Sequence, residues 1–172
     1  MAVRFVFYER KAKSGALTFK NYFYLERGPF DLVAVMDESV NEKPFTVKGC
    51  FIDLFDPKLS VLSEKAVLPG EQAYLYNVDR VPDPKRPQVL AGAARVYNEV
   101  IGKTQYSFTA KSPLNTTNVM RVLLPVAPKK MLLTDSQGKI LTGFQSVWDD
   151  ISKTVFLIFE NHPDGINIEF KW

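Results

Sequence analysis

The sequence contains one cysteine and one histidine among its 172 residues. One cysteine cannot form a disulfide within the chain, and a catalytic triad or metal site that uses histidine would have to be built on His162. That residue lies in the turn-like run 161–165, where a surface histidine is the simpler interpretation. Cys50 lies in the strand-like run 49–55, where a thiol usually serves as a small apolar filler. Neither residue indicates a reactive centre.

The sequence also lacks zinc-ligand spacing, a glycine-rich phosphate loop and a dinucleotide-binding fingerprint. Lys and Arg number 22 and Asp and Glu number 19, and the resulting net charge of +3 is spread without long runs. This balance argues against nucleic acid or an anionic membrane surface as the main partner. No apolar stretch approaches the roughly 20 residues that span a bilayer, and residues 1–10 lack the layout of a signal peptide. We therefore expect no cofactor, no nucleic-acid partner and no membrane insertion.

The dominant pattern is the alternation of apolar and polar residues with a period of two. In the run 166–172, Ile166, Ile168 and Phe170 alternate with polar residues, which a half-buried antiparallel strand requires. No segment keeps helical periodicity for three turns. Further predicted strands are rich in β-branched and aromatic residues and cover 3–8, 17–25, 32–36, 45–55, 61–67, 73–78, 89–97, 104–110, 119–124, 131–134, 144–148 and 155–160.

About a dozen short strands without intervening helices predict an all-β fold with almost no helix. We expect an antiparallel β-sandwich, either immunoglobulin-like or a larger two-sheet sandwich. A single domain over residues 1–172 is the preferred organisation. The proline-rich stretch 79–88 is typical of a stiff, exposed connector, because proline cannot donate to a strand ladder. The alternative is therefore two small sandwiches, 1–78 and 89–172, joined by that connector.

Acidic residues offer a weaker indication of chemistry. Glycoside hydrolysis needs two carboxylates, and Asp or Glu side chains occur close together in three places, at 37–38, 53–56 and 149–150. Each set is explained more simply by turn capping or by a solvated strand end. Calcium bound by such loops is an alternative, although no run of alternating acidic residues supports it.

Aromatic residues suggest where a sugar could bind. A sugar ring stacks on an exposed aromatic side chain while polar neighbours contact its hydroxyl groups. Tyr22 and Tyr24 project from one strand face beside charged residues, and Trp148 adjoins Asp149 at a strand end. These four residues are the candidate carbohydrate-binding residues. The alternative is that the aromatic rings pack between sheets or against another domain.

The chain resembles the C-terminal β-sandwich accessory modules of bacterial glycoside-hydrolase-like proteins. The first half carries the resemblance in the phrases FKNYFYLERGPF (19–30), VAVMDES (33–39), IDLFDP (52–57) and PGEQ (69–72). The second half carries it in KSP (111–113), RVLLP (121–125), SVWD (146–149) and FENHPDG (159–165). These are phrases of strand and turn residues, so the resemblance assigns no catalytic residue.

The resemblance implies a partner and a location. It implies packing on a neighbouring catalytic domain of a larger polypeptide, contact with polysaccharide, and a periplasmic or secreted protein. The strand-like residues 3–8 and the strand ending at Trp172 agree with a module cut from a longer chain. We therefore expect a non-catalytic accessory domain. Its alternatives are a carbohydrate-binding module and a small glycoside hydrolase that uses paired carboxylates.

The accessory hypothesis makes one structural prediction. One sheet face should be apolar and exposed, because it needs a partner. The face that carries Tyr22 and Tyr24 is the expected one.

Overall fold

A computed structural model describes residues 20–37 and 43–172, and within these ranges the protein is built from antiparallel strands and one turn of 3₁₀ helix, Val78–Arg80. This confirms the predicted all-β fold; the strand predicted at 3–8 lies outside the described residues. The strands are β1 (Tyr22–Arg27), β2 (Phe30–Val35), β3 (Phe45–Asp53), β4 (Val61–Val67), β5 (Gln72–Asn77), β6 (Gln88–Gly92), β7 (Arg95–Ile101), β8 (Gln105–Lys111), β9 (Thr117–Leu123), β10 (Lys130–Thr134), β11 (Gln145–Asp149), β12 (Thr154–Glu160) and β13 (Ile166–Lys171).

The second half of the chain forms the sandwich. One sheet has the order β10-β13-β8-β7 and the other β11-β12-β9-β6. Because alternate residues point to opposite faces, both sheets turn an apolar face inward and bury a shared core. The buried members of this core are Tyr106, Phe108, Ala110, Met120, Val122, Leu124, Leu133, Val155, Leu157, Phe159, Ile166, Ile168 and Phe170. The alternation predicted for 166–170 is confirmed.

The first half forms a five-stranded sheet of order β1-β2-β5-β3-β4. This sheet coils on itself, so that the ring of Tyr22 in β1 stacks on the ring of Phe45 in β3 with centroids 3.8 Å apart. A β-bulge at Gly49, which has a φ of +152°, shifts the register of β3 against β4. The inner face of the coil buries Val33, Val35, Val47, Phe51, Val67, Ala73 and Leu75.

The prediction of one strand over 89–97 is wrong. Two strands, β6 and β7, occupy this region, and they belong to different sheets. The chain changes sheet at Ala93 and Ala94. Gly92 lies close to Met120, since a Cβ on this glycine would lie 3.0 Å from the methionine side chain. The small residues Gly92, Ala93 and Ala94 allow this crossing, and the unbroken run of apolar and small residues at 89–94 gives no sign of it.

A third apolar cluster joins the two halves. Ile52 and Tyr76, on the outer face of the five-stranded sheet, pack with Leu90 and Leu123 of the sandwich. A buried cation adds to this junction: the Arg121 guanidinium donates from Nε to the carbonyl oxygen of Leu59 at 2.9 Å. The five-stranded sheet therefore uses part of its outer face to pack against the sandwich.

The proline-rich stretch is only partly exposed. Residues 82–86 are exposed, as expected of a connector. Val81 is buried in the third cluster and Pro87 is also buried. Both ends of the stretch are thus held by the elements that they join.

Candidate functional site

Tyr22 and Tyr24 lie on the inner side of the coiled sheet. Both are half-buried and pack against its apolar cluster. The Tyr22 ring is stacked on Phe45, and the ammonium group of Lys20 lies 5.2 Å from its centroid. The two rings are therefore already engaged by protein groups, and the structure does not present them as a flat exposed pair. Sugar binding by these tyrosines stays a prediction.

Beside Tyr24 lies a polar network that no sequence pattern indicates. Asp31 is fully buried and accepts a hydrogen bond from Nη1 of Arg80 at 2.8 Å. A second guanidinium nitrogen contacts Glu26 at 2.9 Å. Tyr24 donates to Glu26, and burial together with this hydrogen bond raises the pKa of Tyr24 to about 12. Through Arg80 the network links β1, β2 and the 3₁₀ turn, with both carboxylates on one guanidinium, which makes it a structural element.

Trp148 and Asp149 also have structural contacts. Trp148 is half-buried against the sandwich core, and its Nε1 lies 3.3 Å from an oxygen of Asp150. Asp149 accepts hydrogen bonds from the backbone amide and the hydroxyl of Ser152, at 2.8 and 2.9 Å. These contacts match the interpretation of core packing and turn capping. The role of the pair in sugar binding stays a prediction.

Carboxylates of the sets 53–56 and 149–150 are engaged locally, whereas Glu38 of the set 37–38 lies outside the described residues. Asp53 is buried and lies 2.8 Å from the ammonium group of Lys65. Hydrogen bonds from the Ser60 hydroxyl and the Lys58 backbone lower the pKa of Asp56, and the Lys153 ammonium lowers the pKa of Asp150. A general acid in glycoside hydrolysis needs a raised pKa, so the shifts of Asp56 and Asp150 have the opposite sign.

His162 and Cys50 fit the interpretations favoured by the sequence. His162 lies in the turn between β12 and β13, and its Nδ1 accepts a hydrogen bond from the backbone amide of Asp164 at 3.2 Å. Cys50 is half-buried in β3, and burial raises the pKa of its thiol, with further contributions from Asp79 and Asp149. A raised pKa disfavours the thiolate that a nucleophile needs.

Within residues 20–37 and 43–172, no cluster of three His, Cys, Asp or Glu side chains is arranged to hold a metal ion. The same part of the chain contains no helix of the length and apolarity needed to cross a bilayer.

Several exposed apolar side chains lie together on the outer face of the five-stranded sheet. We call this surface the docking face; it consists of Phe23, Leu25, Leu32, Phe55 and the half-buried Tyr74. Leu25 pairs with Leu32 across β1 and β2, and Leu32 pairs with Tyr74 across β2 and β5. Phe23 is 60% exposed and Phe55 is 61% exposed. The prediction that the exposed apolar face carries Tyr22 and Tyr24 is therefore wrong.

The error has a physical cause. Alternation correctly separates Phe23 and Leu25 from the tyrosines, but it does not determine toward which face the sheet coils. The sheet coils toward the tyrosine side, where Phe45 contacts both rings and Arg80 contacts the Tyr24 hydroxyl. Phe23 and Leu25 are consequently left outside.

The docking face continues into the junction with the sandwich. A chain of neighbouring rings runs from Phe55 to Tyr74, then to Phe30 and Tyr76, with centroids 6.1, 5.5 and 5.3 Å apart. The first ring is exposed, whereas Tyr76 is buried in the third cluster. Beside Phe55, an open groove of about 470 Å³ runs to Ala91 of the sandwich. The sandwich thus covers one end of this apolar surface, and the other end is exposed to solvent.

Comparison of the chain with known protein families, with curated proteins and with solved structures found no significant match.

Proposed function

We propose that this protein is a non-catalytic accessory domain of a polysaccharide-processing, glycoside-hydrolase-like protein of bacteria. In this proposal it acts by packing its docking face on a neighbouring catalytic domain of the same polypeptide. The exposed apolar surface of the five-stranded sheet carries the proposal, because a contiguous exposed apolar surface marks an interaction site. The polysaccharide context comes from the resemblance of the strand and turn phrases to such modules.

The composition of the docking face favours a protein partner over a sugar. Leu25 and Leu32 lie directly opposite each other at its centre, and Ala34 lies opposite Phe23. A sugar platform needs polar groups beside the aromatic rings to contact hydroxyl groups, whereas aliphatic side chains match the apolar core of a protein interface.

The other end of the same sheet face supports this choice. At Ile52 and Tyr76 it already packs against protein, namely the sandwich. The exposed end has the same aromatic and aliphatic character and is connected to the covered end through Tyr74 and Phe30. A second protein surface packed on the exposed end would bury the part of this face that the sandwich leaves exposed.

The test uses the full-length polypeptide encoded by the natural reading frame. Leu25→Ser, on the docking face, is compared with Leu114→Ser, which makes the same change at an exposed leucine of the sandwich. We expect Leu25→Ser to speed protease cleavage between the domains and to reduce polysaccharide hydrolysis, and Leu114→Ser to leave both unchanged. A reading frame that encodes no further domain, or equal behaviour of the two variants, would contradict the proposal.

A further inference from the structure

The outer face of the sheet β10-β13-β8-β7 differs from the docking face, because it carries two cationic side chains on adjacent strands. Arg95 in β7 and Lys111 in β8 are directly opposite in register. Their neighbours Val96 and Ala110 pack in the sandwich core, so Arg95 and Lys111 point outward, and both are exposed. Side chains opposite each other in an antiparallel pair have Cβ atoms about 5 Å apart.

This arrangement is unfavourable for the protein alone. Like charges directly opposite on adjacent strands destabilise a sheet. Among the described residues, no carboxylate forms a salt bridge with Arg95 or Lys111, although other cations, such as Lys65 and Lys171, have acidic partners. The pair is therefore a position where a bound anion would stabilise the surface.

An aromatic ring lies next to the cations. Tyr97 is 42% exposed on the same face, and the ammonium nitrogen of Lys111 lies 5.8 Å from its ring centroid. Tyr97 pairs with Thr109, whose hydroxyl donates to Asn167 at 2.7 Å. Asn98 lies at the other side of Thr109, with 3.5 Å between its Nδ2 and the hydroxyl oxygen. The amide side chains of Asn98 and Asn167 thus lie near the ring on this sheet face.

We infer that Arg95, Tyr97 and Lys111 form a binding surface for an acidic carbohydrate, in which a uronic acid carboxylate contacts the two cations. The sugar ring stacks on Tyr97, and the exposed amides of Asn98 and Asn167 contact hydroxyl groups. An aromatic ring with amides beside it suits a sugar better than a nucleic acid, which needs a longer track of cations for its phosphates. The surface does not depend on the docking face.

The binding test titrates the full chain with polygalacturonate at low salt. Highly methyl-esterified polygalacturonate keeps the sugar rings and removes the charge, and polyglutamate keeps the carboxylates and removes the rings. We expect measurable binding to polygalacturonate, weakening as salt is added, and much weaker binding to both other polymers. Absence of binding to polygalacturonate, or equal binding to polyglutamate, would overturn the inference.

Single substitutions test which residues contact the polygalacturonate. Lys111→Gln and Tyr97→Ala should each weaken polygalacturonate binding by about tenfold, because each removes one charged or stacking contact. Lys85→Gln removes an exposed lysine from the connector and should have no effect, and Leu25→Ser on the docking face should also bind normally. Unchanged binding by Lys111→Gln would place the ligand elsewhere and refute the assignment.

A stability measurement separates a binding role from a structural one. Lys111→Glu converts the repulsive pair with Arg95 into an attractive one, so its thermal midpoint should rise while polygalacturonate binding is lost. A fall in the midpoint would show that Lys111 serves the fold, and retained binding would show that it does not serve the ligand. Either result contradicts the inference.

Discussion

The two halves of the molecule bury their apolar residues in different ways. The sandwich encloses thirteen buried residues between two facing sheets. The five-stranded sheet encloses seven by coiling on itself, and its inner side also buries Asp31, which pairs with Arg80. Its outer face relies on the sandwich at one end and is exposed at the other. A sheet without a second sheet opposite it thus leaves apolar surface available, and this surface explains the proposed accessory role.

The largest expected effect is in the sandwich core. Phe108 is 2% exposed and contacts the rings of Tyr106 and Phe170. Phe108→Ala should lower the free energy of unfolding by about 4 kcal/mol, from lost burial and the cavity that remains. Denaturant unfolding checks this value, with Phe55→Ala, at an exposed ring, as the control. Similar losses for the two variants would contradict the assignment of core and surface.

The second-largest loss of stability is expected for the buried ion pair of the coiled sheet. Asp31→Asn should lower the free energy of unfolding by about 3 kcal/mol, because it removes the buried charge that Arg80 contacts. Glu26→Gln makes the same charge change on the same arginine at an exposed position and should cost at most about 1 kcal/mol. The reverse order in denaturant unfolding would show that burial does not determine the strength of this network.

Substitution at the junction between the two halves should have a smaller effect on the free energy of unfolding. Arg121→Met keeps an apolar stem but removes the donor to the Leu59 carbonyl and to Thr154. We expect a loss of about 2 kcal/mol in the free energy of unfolding, the value of a buried hydrogen bond to a charged group. Denaturant unfolding should register this loss. An unchanged or raised stability would mean that the apolar third cluster alone holds the halves together.

The smallest effect concerns pH. The pKa of Tyr24 is raised from 10.0 to about 12 in the folded protein, so its neutral form is favoured by folding. Its contribution to stability is complete below pH 10 and is lost as the pH rises toward 12. Thermal midpoints measured across this range should fall less in Tyr24→Phe than in the unchanged protein. Tyr74→Phe controls for the removal of one tyrosine hydroxyl, and a steeper fall in Tyr24→Phe would contradict the assignment.

Alternation in 166–172, together with runs rich in β-branched and aromatic residues, predicted most strands, because such residues pack well on the half-buried face of a sheet. The run 61–67 coincides with β4, and 166–172 differs from β13 only at its last residue. Residue composition failed at 89–97, where apolar and small residues continue without a break while the chain crosses between sheets. Alternation separated the two faces of β1 without showing which one the coil encloses.

Pairs formed between distant strands were beyond the reach of the sequence. The partnership of Asp31 with Arg80, 49 positions away, depends on how β2 and the 3₁₀ turn come together. Arg95 and Lys111 become neighbours only through the register of β7 with β8. A one-residue slip in register would move either side chain to the opposite face.

Oxidative footprinting of the full-length polypeptide tests whether a neighbouring domain covers the docking face. Hydroxyl radicals label exposed side chains, and labelling of Phe23, Leu25 and Phe55 is compared with that of Leu114 and Val147, which are similarly exposed apolar residues of the sandwich. After correction for intrinsic reactivity, we predict strong protection of the docking face and full labelling of the sandwich residues. Equal labelling of both sets would mean that no domain covers the docking face and would contradict the proposed accessory role.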